Sequence, residues 1–280
     1  MTGYRMLSYI ERNSPVHALT GAAKLIIFLL WSVLVMVSFN TPILIILAGS
    51  GIILFGISKI RFSEISFILK LAGLFLTLNL LAIYLFAPEQ GVTIYQSRNV
   101  ILEGAGRFTL TMEQIFYEFN ILLKYITIIP PAILLIVTTH PSEFASSLNK
   151  IGVPYTASFS VSLTLRYIPD IQRDYEAISQ AQQARGLELS KKVSFVKRLK
   201  RTVPLLLPLI LSSLDRIEVI SRAMELRGFG KNKKRSWYSG KPFKTADKVS
   251  IIISVLLFAA GIWITFRKGS RFYYPGLFQN

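Results

Sequence analysis

The chain of 280 residues contains no cysteine and only two histidines, His17 and His140. Without thiols, disulfides, thiolate metal sites and a cysteine nucleophile are excluded. The two histidines stand far apart, and neither has a carboxylate pair spaced beside it as a metal-ligand motif requires. Acidic residues are scarce too, with 15 Asp and Glu against 32 Lys and Arg and a formal net charge of +17. A phosphate-cradling Gly-x-x-x-x-Gly-Lys-Ser/Thr loop is also missing, because Gly240-Lys241 lacks the earlier glycine and is followed by Pro242. If ATP matters to the function, another chain binds it.

What the chain has in plenty is apolar surface. It is 52% hydrophobic with a mean hydropathy of +0.48, which points to a polytopic membrane protein and away from a soluble enzyme. In a soluble protein +17 would suggest nucleic acid; here the excess of cations on the cytoplasmic side of membrane proteins is the plainer cause. The expected partner surface is the lipid bilayer, with no nucleic acid.

Apolar runs over residues 25–39 and 43–57 are split by Asn40-Thr41-Pro42, a turn signal between antiparallel helices. Each is shorter than the roughly 20 residues of an ideal span, so flanking residues must help to cross. The first run begins only after Arg5, Glu11, Arg12 and Lys24, so the N-terminus reads as cytoplasmic and not as a secretory signal. A cationic link over residues 59–70 and a third span over 71–86 follow. Residues 87–118 read as an outside loop with a short hairpin over 92–110, and a fourth span covers 121–138, with Pro130-Pro131 near its middle. A fifth span over 249–266 leaves the tail outside, where Arg267, Lys268 and Arg271 run against the charge rule.

Between the fourth and fifth spans, residues 140–248 carry twenty Lys or Arg and nine Asp or Glu, a net of +11. This block is cytoplasmic by charge, and it is helical by period. Ile168, Ile171, Tyr175 and Ile178 form one stripe; Ile210, Leu214, Ile217, Ile220 and Met224 form another. Residues 203–211, with Pro204 and Pro208, are apolar all round but too short to span, and read as a segment lying in the inner leaflet. Small residues alternate with larger apolar ones around Phe159, Ser162 and Leu163, a surface suited to close helix approach.

The most specific feature is a repeat. Ser179-Gln-Ala-Gln-Gln-Ala184-Arg185-Gly186 returns 42 residues later as Ser221-Arg-Ala-Met-Glu-Leu226-Arg227-Gly228, each copy followed by an apolar residue, Leu187 or Phe229. A glycine in the left-handed position followed by an apolar residue is how a helix closes. Both arginines would then project from helix C-termini. A single copy is explained by the helix dipole; two copies in one basic membrane-surface block point to a paired partner. Asp170, Asp174 and Glu176, beside Arg166 and Arg173, read as helix-surface charge. The cluster from Lys231 to Arg235, with Trp237 and Tyr238, reads as an anchor to anionic headgroups.

These residues resemble those of a known family, the transmembrane T components of energy-coupling factor (ECF) transporters. Ser14-Pro15-Val16-His17-Ala18-Leu19 and Lys24-Leu25 resemble the family's Ser-Pro-x-His-x-Leu opening, although Thr20-Gly21-Ala22-Ala23 replaces its usual Asp-Pro-Arg-Thr. Pro141-Ser142-Glu143-Phe144, Leu148, Pro154 and Arg166-Tyr167-Ile168-Pro169 resemble its coupling domain, and the two x-Arg-Gly ends its coupling helices. The resemblance implies an all-α integral membrane protein of about five spans. It would comprise a membrane domain (1–139), a cytoplasmic coupling domain of long amphipathic helices (140–248), and a final span with tail (249–280). It also implies a cell-membrane subunit that couples two ABC-type ATPases to a small substrate-binding S component for vitamin or metal-ion uptake. Ala184, Arg185, Gly186, Leu226, Arg227 and Gly228 would couple to the ATPases, and Phe159, Ser162, Leu163, Leu207, Ile210 and Leu211 would pack on the S component. The chain itself would bind no cofactor, ATP and Mg belonging to the partner subunits.

Two other classes remain. A self-contained permease is disfavoured because the spans hold almost no ionisable residues to line a route. A membrane-embedded lipid-modifying enzyme would need clustered carboxylates on a span, and Asp170 with Asp174 has the wrong spacing.

Overall fold

A computed structural model describes residues 12–104, 108–187, 194–231, 236–267 and 271–273, the side chains of 195–199 and 201 excepted. The chain packs as two units, one of residues 1–140 with 241–280 and one of residues 141–240. Among the described residues, the regular structure apart from one short hairpin is α-helical.

The first unit holds helices α1 (Pro15–Ala18), α2 (Gly21–Val37), α3 (Thr41–Ile57), α4 (Phe62–Phe86), α5 (Gln90–Tyr95), α6 (Met112–Thr138) and α10 (Thr245–Phe266). Helices α4, α6 and α10 are long and apolar enough to cross a membrane, and α2 and α3 are shorter apolar helices. Together they are the five spans expected from the hydropathy. One apolar cluster joins Leu34 and Val35 of α2 to Ile43, Leu44 and Leu47 of α3 and Leu123 of α6. A second gathers Phe55, Ile60, Ile65, Ile133, Leu134 and Val137. Helix α10 lies so close to α2 that a Cβ on Gly261 would stand 2.8 Å from the Leu34 δ-carbons.

Several polar groups within this apolar bundle have partners that fix how its helices meet. Proline has no N–H, so Pro131 leaves the Thr127 carbonyl of α6 without its helical donor. The Trp31 indole Nε1 of α2 donates to that carbonyl at 3.1 Å. Thr20 caps α2 by accepting from the Ala23 amide (3.4 Å), while its own amide donates to the buried Asp247 carboxylate (2.8 Å). The other Asp247 oxygen accepts from the Lys244 amide at 2.7 Å, so one carboxylate ties the starts of α2 and α10. Buried Lys24 donates to the Thr138 carbonyl at the end of α6 (2.8 Å), a cation on a helix C-terminus. At the departure over residues 20–23, Thr20 serves as the cap and Ala22 and Ala23 are buried.

Several boundaries differ from the sequence expectation. Helix α4 begins at Phe62, so most of the cationic link belongs to the third span's helix. The expected hairpin over 92–110 reduces to β1 (Val100–Leu102) paired antiparallel with β2 (Leu110–Thr111), because residues 92–95 fall in α5. Glu113 and Glu118 lie in α6, not in a loop. The Glu113 carboxylate accepts from Ser97 Oγ and from the Asn99 amide and Nδ2, all within 3.1 Å, and so organises the loop in front of it.

Beyond the fifth span, residues 271–273 pair with the α2–α3 turn. The Phe39 amide donates to Arg271 O at 3.0 Å, and the Tyr273 amide donates to Phe39 O at 3.3 Å. The Arg271 guanidinium stands 5.6 Å from the Phe39 ring centroid and 5.2 Å from that of Phe272. Arg267 is 5.1 Å from the Trp263 centroid. Two of the cations that run against the charge rule are thus held on aromatic rings; Lys268 lies outside the described residues.

The second unit holds α7 (Pro141–Lys150), α8 (Tyr155–Ala184) and α9 (Phe195–Leu226). The apolar residues 203–211 are not a separate element: α9 continues through Pro204 and Pro208. Four residues apart, the two prolines fall on one exposed face, so the carbonyls they leave unbonded lie together and the helix on either side stays regular.

Candidate functional site

Helices α8 and α9 end in the same way. Arg185 and Arg227 are the C-caps, and Gly186 (φ +91) and Gly228 (φ +64) follow in the left-handed region. In the first end the Leu187 amide donates to Gln182 O (3.0 Å) and the Gly186 amide to Gln183 O (3.0 Å). In the second, the Phe229 amide donates to Met224 O (2.9 Å) and the Gly228 amide to Glu225 O (2.9 Å). This double pattern is the Schellman closure, and it stops each helix at the arginine. Arg185, Gly186, Arg227 and Ala184 are exposed, and Leu226 is 89% exposed, an isolated apolar side chain at a charged helix end. The repeat in sequence is a repeat in backbone geometry.

The two ends differ in support. Phe229 packs on α8, its ring centroid 4.6 Å from Phe159 and 5.8 Å from Tyr155. Trp237 joins them, 5.2 Å from Tyr155, and its Nε1 donates to Asn149 Oδ1 at 3.1 Å. Ser239 Oγ donates to Ser142 O at 3.0 Å, tying the same segment to α7. Trp237, expected from the sequence as a headgroup anchor, is thus also engaged in packing within the unit; Tyr238 is fully exposed, and residues 232–235 lie outside the described residues.

The aromatic cluster also sets direction. Phe229, beyond the end of α9, lies against the first turn of α8, so the two helices run antiparallel. Between these points the Arg216 guanidinium of α9 donates to Asp174 of α8 at 2.5 Å, both side chains about one-third exposed, and lies 5.9 Å from the Tyr167 centroid. Asp174 was expected to be surface charge; instead it crosses to the other helix, because antiparallel packing brings Arg216 closer than the same-helix cations. Arg173 pairs with Asp170 at 2.8 Å and Arg222 with Glu218, each within its own helix.

Of the proposed packing residues, Leu207, Ile210 and Leu211 are 63%, 54% and 54% exposed, an apolar strip on α9. Ser162 and Leu163 of α8 are half-buried, and the half-buried Phe159 ring is engaged by Phe229. The Asp174–Arg216 contact and the Trp237 brace escaped sequence reasoning. The one available signal for the first was its 42-residue separation, equal to that of the repeat.

The profile of the CbiQ family, described as cobalt transport protein, matches residues 12–237. The chain is 27% identical over 266 residues to the energy-coupling factor transporter transmembrane protein EcfT of Brevibacillus brevis, covering 92% of this chain and 97% of that protein. It is 28% identical over 266 residues to that of Staphylococcus aureus, covering 89% and 94%. For that of Bacillus subtilis the figures are 27% over 264 residues, covering 90% and 94%. With four of the five apolar helices, a basic helical unit and two Arg-Gly helix ends inside the matched region, the chain belongs to the CbiQ family, among the transmembrane components of energy-coupling factor transporters.

Proposed function

We propose that Arg185 and Arg227 each dock one of two ABC-type ATPases, and that α8 and α9 carry the ATPases' closure to an S component seated on the membrane side. The chain is the transmembrane coupling subunit of an ECF-type ABC transporter, a multi-pass membrane protein that is not itself catalytic. The observation that carries the docking reading is the shared closure of two helices, each on an exposed arginine followed by a left-handed glycine.

The physical case is short. A C-terminal arginine offers a permanent charge and a planar donor fork that fits a carboxylate bidentately. The left-handed glycine ends the helix directly behind it, so the guanidinium is the leading group of a blunt probe. Ala184 and Leu226, exposed beside the arginines, supply a small and a larger apolar contact at the rim of each groove. When ATP draws the two grooves together, the helix ends move with them.

The S component is proposed to rest on Leu207, Ile210 and Leu211 of α9 with Ser162 and Leu163 of α8. Phe159 contributes only the edge that Phe229 and Trp237 leave uncovered. The coupling domain is proposed to span residues 140–248, with the membrane domain before it and the final span after. The choice of vitamin or metal ion then belongs to the S component. Capture of the tagged chain from its native membranes tests the assembly: two ABC ATPases and a small membrane protein are expected, and a chain that comes alone in mild detergent and itself transports substrate overturns it.

A further inference from the structure

Ser179 and Ser221 set the repeat offset at 42 residues, and Asp174 and Arg216 stand at that same offset. The two residues that meet across the α8–α9 contact therefore hold equivalent positions, each five residues ahead of its copy of the repeat. In an antiparallel pair of equivalent helices, a position meets its own counterpart only where the two-fold axis relating them passes. A local pseudo-two-fold thus runs by the Asp174–Arg216 ion pair.

From each member of the pair to the motif arginine of its own helix is eleven residues: Asp174 to Arg185 and Arg216 to Arg227. At the helical rise this is an arm of about 16 Å on each side. Because the helices are antiparallel, the arms point in opposite directions and the two Arg-Gly ends stand at equal distances from the ion pair. Two equal arms about one axis match a partner that is itself a pair closing about a two-fold.

We propose that the Asp174–Arg216 pair is the pivot of the coupling unit: it fixes the register of α8 on α9 at the point of least displacement while the two Arg-Gly ends follow the ATPases. This rests on the docking function proposed above. Apolar stripes are non-directional and let one helix slide past another, whereas a charge pair with Arg216 also lying by the Tyr167 ring defines one register and still permits rotation. Arg173–Asp170 and Arg222–Glu218 close within single helices and cannot serve. Asp174 and Arg216 are thus positioning residues for coupling, distinct from the arginines that dock.

The absence of native cysteine gives a clean test. Ala181→Cys and Ala223→Cys, exposed and equivalent in the repeat, carry nitroxide labels in the full complex with its ATPases, reconstituted in lipid nanodiscs. The distance between labels is measured by electron–electron double resonance, without nucleotide and after trapping with ATP and vanadate. The wild-type background should give one narrow distance that shifts on trapping. Asp174→Asn should retain both ATPases and their hydrolysis, yet give a broad distribution with no shift, and the reversal Asp174→Arg with Arg216→Asp should restore the narrow, shifting distance. Wild-type distances and shift in Asp174→Asn overturn the pivot, as does loss of the ATPases from that variant, which would make the pair a docking support. Failure of the docking reading shows separately, as ATPases retained by Arg185→Glu with Arg227→Glu.

Discussion

Replacing Arg185 and Arg227 by alanine, singly and together, separates docking from helix capping by magnitude. Both residues are exposed C-caps whose helices are closed by backbone hydrogen bonds to Gly186, Leu187, Gly228 and Phe229, none of which an alanine removes. At Arg185 what the fold loses is the dipole interaction of one cation, about 0.3 to 1 kcal/mol, and the thermal melt measures the corresponding loss at Arg227. For a chain of this length the Arg185 loss amounts to a shift of at most a few degrees in the thermal midpoint. Truncating an arginine that docks in a partner's groove and leaves a carboxylate unpaired costs roughly 2 to 5 kcal/mol, about 30-fold to 4000-fold in affinity. The assay is titration of the ATPase pair onto the chain in nanodiscs, with a thermal melt of each variant alongside. Single variants keep one arm, and tethering through the other supplies an effective concentration on the order of millimolar, so each should weaken assembly while the double variant abolishes it. A double variant that melts like wild type and binds the ATPases within about threefold of wild type would refute the docking role.

Other expectations follow from single contacts. Gly186→Ala places a side chain at φ +91 with nothing within 4 Å of the new Cβ, so its cost is backbone strain alone, about 1 to 2 kcal/mol; a frayed α8 end and weaker ATPase capture should show in hydrogen exchange and titration. Asp247→Ala removes the carboxylate that accepts from Thr20 and Lys244 and should lower stability in detergent by about 1.5 to 3 kcal/mol, with Asp247→Asn losing less, as read by a thermal shift. Trp237→Ala opens the cluster holding Phe229 and deprives Asn149 of a donor, and should weaken docking at the Arg227 end more than at the Arg185 end, measurable by crosslinking at each end.

Features encoded by neighbouring residues were legible in the sequence. Five apolar runs gave five spans, and the Arg-Gly pattern with a following Leu or Phe gave both helix closures, because a Schellman motif needs only one turn of chain and a left-handed glycine. What escaped depends on tertiary packing. Residues 203–211 read as a segment of their own because they are apolar all round and too short to span, whereas α9 continues through them with Pro204 and Pro208 on one face. Asp174 looks like any exposed helix carboxylate until α9 lies beside it. Trp237, next to a basic run, has the composition of a lipid anchor, and only the fold brings Tyr155 and Asn149 to it. Likewise, nothing near Thr127 in sequence announces that its carbonyl, orphaned by Pro131, will be met by Trp31.

The most direct measurement is site-specific photocrosslinking in native membranes, with the photoreactive residue placed at Ala184 in one variant, at Leu226 in a second, and at the exposed Ile253 of the final span in a third. Crosslinks from residues 184 and 226 to ABC ATPase chains, with none from residue 253, are what the two-ended docking predicts; residues 184 and 226 that label only lipid, or proteins other than an ATPase, would contradict it.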